Sequence, residues 1–144
     1  MNEPTLVWAI GNIESQKNLE ERGFNGNTPV LMAALQGDLP TVARLIELGA
    51  DIHTVNNDKN GILFNSVYAN SPELIRFLVE HGVDVNAMND DEVTPLMYAA
   101  SAGRGACVQT LLEMGANARL VNRDGMVAVD FATTKEILSM LRRA

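Results

Sequence analysis

Few side chains in this sequence are of types that do chemistry near neutral pH, so each can be weighed in turn. His53 and His81 are the two imidazoles. A metal ligand or general base of that kind needs a thiol, carboxylate or second imidazole at working distance. No Cys or carboxylate joins them at ligand spacing, and His81 stands immediately before Gly82, where a helix C-terminus favours a cation. The single thiol, Cys107, becomes a nucleophile only beside a base, and both histidines lie in other segments. Asp90-Asp91-Glu92 gathers three acids as a calcium loop does, but the D-x-D-x-D-G order and the distant glutamate are missing. No glycine-rich phosphate loop occurs. These residues supply no catalytic set, no metal site and no cofactor cradle, and the chain reads as a non-enzyme.

Composition narrows the alternatives. A chain of 144 residues is one domain long. Its 18 acidic and 11 basic side chains leave a net charge of −7, which repels phosphate and argues against nucleic acid and anionic membranes as partners. Aromatics make up 5% of the residues, which argues against a large aromatic ligand pocket. A lone cysteine cannot form an internal disulfide and fits a reducing compartment. The N-terminal MNEPTLVWAIGNIE has no basic run before its short apolar stretch and no small-residue cleavage pattern after it. No apolar run approaches the roughly 20 residues that span a bilayer. The expectation is a soluble, cytoplasmic, monomeric protein.

The elements that would position any site repeat at a step of 33 residues. The stretch TPLMYAASAG (Thr94 to Gly103) lies 33 after Gly61 to Asn70, which lies 33 after Thr28 to Gly37. A further step reaches Val127 to Ala132. A second block keeps the same step: VARLIELGADIHT from Val42, IRFLVEHGVDVNA from Ile75 and VQTLLEMGANARL from Val108. Thr-Pro sets a helix cap followed by a proline whose missing amide does no harm at the first helical position. The Ala33-Ala34 and Ala99-Ala100 pairs make a narrow helix, which Gly37 and Gly103 end, with Asn70 as substitute. Ser71-Pro72 restarts a helix by the same capping logic. The second helix places apolar residues at helical spacing, Val42, Leu45 and Ile46, with counterparts Ile75, Leu78, Val79 and Val108, Leu111, Leu112. After Gly49, Gly82 or Gly115 an alternating stretch such as Asp84-Val85-Asn86-Ala87 leads through polar residues to the next unit.

Period and signature together make the chain resemble the ankyrin-repeat family. The resemblance implies an all-α repeat solenoid in which each unit is a helix-turn-helix with a β-hairpin-like finger. Three full repeats, residues 26–58, 59–91 and 92–124, lie between capping repeats at 1–25 and 125–144. Trp8-Ala9-Ile10 would be a shortened first helix and Asn12 to Arg22 a second, followed by an excursion seven residues short of the others. Lys135 to Leu141 would be a shortened last helix closed by Arg142-Arg143. The chain departs from the family pattern where Leu31, Phe64, Met97 and Asp130 replace its histidine. The three apolar replacements are expected to thicken the core. Gly61-Ile62 replaces Thr-Pro, which should weaken the start of that helix by about 1 kcal/mol. Cys107 stands where the family is usually apolar, so a packed thiol is expected.

Relatives of this kind grip proteins in a concave groove between finger tips and first helices. Carried over by position, the tips are Val55, Asn57, Asp58 and Asn60, then Met88, Asp90, Asp91 and Val93, then Val121, Arg123, Asp124 and Met126. The helix face adds Leu35, Gln36, Tyr68, Ala69, Ser101 and Ala102. Exposed Val and Met at such tips suit a protein interface, whereas Tyr68, Tyr98 and Trp8 read chiefly as packing residues. Five acids and no Lys or Arg fall between Glu80 and Glu92, while the chain from Arg104 onward carries six basic against four acidic residues. The partner expected is therefore a protein with a basic surface. The function expected is an inhibitor or immunity protein of a toxin, with a cytoplasmic adaptor or regulatory subunit as the alternative.

Overall fold

A computed structural model describes residues 19–144. Trp8 to Ile10, and most of the helix expected over Asn12 to Arg22, lie outside the described residues. Within them are seven α-helices and no strand. Three short helices of seven residues, α1 (Pro29–Leu35), α3 (Ile62–Tyr68) and α5 (Pro95–Ser101), alternate with α2 (Leu39–Glu47), α4 (Pro72–Glu80) and α6 (Gly105–Glu113), each of nine. Helix α7 spans Lys135–Arg143. The short helices stack as a row, α1 on α3 on α5, and α5 then meets a 3-10 turn at Ala128–Phe131. The long helices pack behind them, α4 on α6 on α7.

The sequence pattern explains that order. In α1 and α5 the alanine pairs Ala33-Ala34 and Ala99-Ala100 are completely buried, and in α3 Ser66 and Val67 take those places and are buried as fully. Narrow helices approach closely, and the larger residues fill the space between the rows. Val42, Leu45, Ile75, Leu78, Val108 and Leu111 are likewise without exposed surface, and each such side chain contributes about 1.5–3 kcal/mol by leaving water. Ile46, Val79 and Leu112, the third member of each set, are only half-buried against this core. Where the family's histidine is absent, Leu31, Phe64 and Met97 are buried, so the apolar replacements do extend the core. Asp130 is exposed and instead accepts the Val127 amide at 2.8 Å.

The turn between paired helices requires a left-handed residue, and Gly37, Asn70 and Gly103 adopt φ of 68°, 55° and 71°. Capping is less regular than the sequence suggests. The Thr94 and Ser71 hydroxyls accept from the Met97 and Leu74 amides at 3.1 and 3.3 Å. Thr28 makes no such bond; its hydroxyl oxygen is buried without a partner among the described residues.

Two expectations need correction. The last helix is not shortened: α7 has nine residues, as do α2, α4 and α6, and includes Arg142 and Arg143. What is short is the element before it, a four-residue 3-10 turn in place of a seven-residue helix, after which the Thr134 hydroxyl caps α7 by accepting from the Ile137 amide at 3.1 Å. The alternating stretch at Asp84–Ala87 is also not extended. The Ala87 amide returns to the Asp84 carbonyl, and the Asp84 carboxylate accepts from the Asn86 amide at 2.9 Å. Asp51 and Asn117 do the same for His53 and Arg119, so the alternation marks a turn that a side chain closes.

Candidate functional site

Each finger is built around one asparagine. The Asn56 side-chain oxygen accepts from the Asp58 and Asn60 amides at 2.9 and 3.2 Å. Asn89 does this for Asp91 and Val93, and Asn122 for Asp124 and Met126. A backbone bond closes each loop, from Asn56 to Asn60, Asn89 to Val93 and Asn122 to Met126. The N-terminal finger keeps the tip alone, with the Gly23 amide bonded to the Asn27 carbonyl. The seven-residue deficit therefore falls on the stem and spares the tip. Asn56 and Asn122 are buried and Asn89 is half-buried, which keeps their amides on the backbone and largely away from water. They were not singled out in the sequence, although their spacing of 33 was a usable signal.

Adjacent fingers are tied together. Asn89 donates to the Asn60 side-chain oxygen at 3.1 Å, and Asn56 to that of Asn27 at 3.3 Å. The Arg22 guanidinium reaches the Val55 carbonyl and, at 2.8 Å, the Thr54 hydroxyl. Asn25 donates to Asp58 at 2.8 Å. Toward the C-terminus the Arg123 guanidinium bonds the Asp90 carbonyl and stands 3.5 Å from the Asp91 carboxylate. Both partners of that ion pair are exposed, so it neutralises charge locally more than it stabilises the fold.

The sequence-derived positions fall into three groups. Val55, Met88 and Val121 form an exposed apolar row at the 33-residue step, an unfavourable way to leave large side chains in a monomer. Asn57, Asp58, Asp90, Asp91, Arg123 and Asp124 are exposed at the tips, whereas Asn60, Val93 and Met126 are half-buried at the finger bases. On the helix side Tyr68, Ser101 and Ala102 are exposed, and Leu35, Gln36 and Ala69 are half-buried. Tyr68, read from sequence chiefly as packing, has 60% of its surface in water. Phe24 is 77% exposed and was not singled out in the sequence. Both line a groove of about 270 Å³ with Phe64 and Tyr98, so the scarce aromatics are gathered rather than dispersed. Burial raises the Tyr98 pKa, partly countered by nearby Arg104.

The three reactive candidates lie in different units. Cys107 is completely buried, its thiol within 3.6 Å of the Asn70 side-chain oxygen. Burial pushes its pKa up to about 11, against a smaller lowering by Arg104, so the thiolate is scarce at neutral pH. His81 ends α4 with its Nδ1 2.7 Å from the Phe77 carbonyl and its ring against the Phe77 ring. His53 is exposed on a turn. Among the described residues no three His, Cys, Asp or Glu side chains gather at metal-binding distance, and no helix is long and apolar enough to cross a membrane.

Stacked helix pairs with projecting loops and one periodic exposed face define a class, the helical-repeat scaffold, whose working part is a surface. Family models for ankyrin repeats match this chain in three overlapping stretches, residues 3–89, 30–124 and 63–142. The protein therefore belongs to the ankyrin-repeat family, whose repeats generally mediate contacts between proteins. No curated protein matches the chain.

Proposed function

We propose that this protein is a non-catalytic binding module that holds one partner protein with a basic surface against its finger tips and short-helix face. The supporting observation is the exposed row Val55, Met88 and Val121 running beside the carboxylates of Asp58, Asp90, Asp91 and Asp124. Apolar patches edged by charge favour protein partners, and the acidic edge favours a basic one. The role proposed is an inhibitor of the immunity type, acting as a monomer in the cytoplasm and masking a basic toxin. A net charge of −7 and finger tips that carry apolar and acidic side chains fit a molecule that works by covering.

Affinity purification from the native cell, followed by mass spectrometry, tests the reading. The control is a chain with Asp90, Asp91 and Glu92 replaced by Asn, Asn and Gln. A basic protein retained by the natural chain is expected, with association slowed at low salt in the control while the fold is kept. An unchanged on-rate removes the electrostatic element. A partner that is toxic alone and harmless on co-expression identifies an inhibitor; one that is harmless alone identifies an adaptor or regulatory subunit.

A further inference from the structure

The aromatic groove has a composition unlike the rest of the face. Of the chain's four Phe, two Tyr and one Trp, both tyrosines and two phenylalanines line it. Phe24 comes from the N-terminal finger, Phe64 and Tyr68 from α3, and Tyr98 from α5. The Phe64 and Tyr98 rings stack with centroids 5.6 Å apart. Phe64 is almost wholly covered, whereas Phe24 and Tyr68 keep most of their surface open. One carboxylate, Asp58, stands in the lining, and no Lys or Arg does. Asp58 is held by the Asn25 amide through Oδ2 and by its own backbone bond to Asn56, and its Oδ1 is free among the described residues.

A surface of aromatic faces with one fixed carboxylate and no internal cation suits a flat, weakly hydrated cation. Ring faces attract positive charge, and a carboxylate with a free oxygen accepts a charge-assisted hydrogen bond from it. A lysine ammonium is a strongly hydrated point charge with no flat face to lay on a ring, so a guanidinium fits better. Resting on the protein-binding reading above, we infer that this groove receives one arginine side chain of the partner, with its guanidinium against Tyr68 and Phe24 and directed at Asp58. Arg104 opposes such a guest. It approaches from the helix side, with Nη2 3.4 Å from the Tyr68 carbonyl, and its charge reaches Tyr98. The groove should thus bind more tightly when that charge is removed, whereas an anionic guest would bind less tightly.

The test titrates the full chain with the capped peptide Gly-Gly-Arg-Gly-Gly, its citrulline analogue and its lysine analogue, following amide and aromatic NMR shifts. Shifts at Asp58, Phe64, Tyr68 and Tyr98 are expected with the arginine peptide. The neutral citrulline isostere should bind about 5-fold more weakly, and Tyr68→Ala should weaken the arginine peptide about 3-fold, the range for single cation–π contacts. Asp58→Asn should weaken the arginine peptide and leave the citrulline peptide unchanged; Arg104→Gln should tighten the former. Asp58 and Tyr68 are both exposed, so their variants are expected to fold. Absence of shifts in the groove, equal binding of citrulline or lysine, or weaker binding by Arg104→Gln would each overturn the inference. A cellular partner whose capture survives Asp58→Asn combined with Tyr68→Ala would also overturn it, yet leave the protein-binding reading intact.

Discussion

Helices α3 and α5 occupy equivalent places in the stack, have the same length, and begin in different ways. Helix α5 starts with a working cap, the Thr94 hydroxyl on the Met97 amide, and a proline at its first position. Helix α3 has Gly61 and Ile62 there and no side-chain cap, yet it also runs for seven residues. What α3 has instead is Asn65, a buried side chain that donates to the Leu31 carbonyl at 2.8 Å and the Asn27 side-chain oxygen at 3.1 Å. Those bonds tie it to α1 and to the N-terminal finger. One helix is started by its own sequence, the other by its neighbour. In a stacked array a local signal can be lost where a contact between units takes over its work.

The sharpest way to break this comparison is to remove Asn65. Asn65→Ala leaves the buried Leu31 carbonyl without its side-chain donor and deletes a bond to Asn27, so a loss of about 2 kcal/mol is expected. Urea unfolding of the variant checks it. A loss below about 0.5 kcal/mol would mean that α3 is held by packing alone, since that is the lower end for a single hydrogen bond.

Capping threonines sharpen the contrast. Thr94→Ala should destabilise by about 1 kcal/mol, the usual effect of losing an N-cap hydroxyl. Thr28 looks identical in sequence, but its hydroxyl is buried and unpartnered. Thr28→Val keeps the branched shape and removes an unsatisfied polar group, so it should be neutral or stabilise by up to about 1 kcal/mol. Equal losses at the two positions would show that the Thr28 hydroxyl has a partner in solution.

Finger tips offer a comparison between ends and middle. The fourth residue of each tip is left-handed: Gly26 and Gly125 at the ends, Lys59 and Glu92 in the middle, with φ of 64° and 61° for the latter two. A side chain disfavours that conformation, so Lys59→Gly and Glu92→Gly should each stabilise by about 0.5–1 kcal/mol after the glycine's greater freedom in the unfolded chain is subtracted. Thermal unfolding reads the gain. Destabilisation would mean that these side chains make contacts that outweigh the strain.

The 33-residue step made the helices, their turns and the apolar set behind them legible, because burial forces the same residue types back to the same place. Asn70 in the role of Gly37 and Gly103 was readable for the same reason. The face was readable only as a row of positions. Nothing in the sequence placed Phe24 beside Tyr68, because one comes from a finger and the other from a helix three elements later. Arg123 was read as one more tip residue, whereas it lies on the Asp90 carbonyl and beside Asp91, one unit back. Contacts of this kind depend on side-chain length and direction across units, which periodicity does not encode. Asn65 was missed for a related reason: Met32 and Tyr98 occupy its equivalent positions, so the repeat gives no cue to a polar network used once.

The smallest effect decides most directly between the two ways of starting a helix. No atom lies within 4 Å of where a Cβ would sit on Gly61, whose backbone is extended as at Thr94. A serine there could turn its hydroxyl to the Phe64 amide as Thr94 does to Met97. Glycine is itself a tolerable N-cap, so the gain from Gly61→Ser should be only about 0.3 kcal/mol. If α3 were limited by its start, as Gly61-Ile62 suggests in isolation, the substitution would recover about 1 kcal/mol. It would also slow amide exchange at the first turn of α3 selectively. With Asn65 already fixing that turn, exchange there should barely change in the natural background. In an Asn65→Ala background the same serine should matter more, because the cap then becomes the principal polar contact holding the turn. A double-mutant cycle showing no coupling between positions 61 and 65 would refute the substitution of one device for the other.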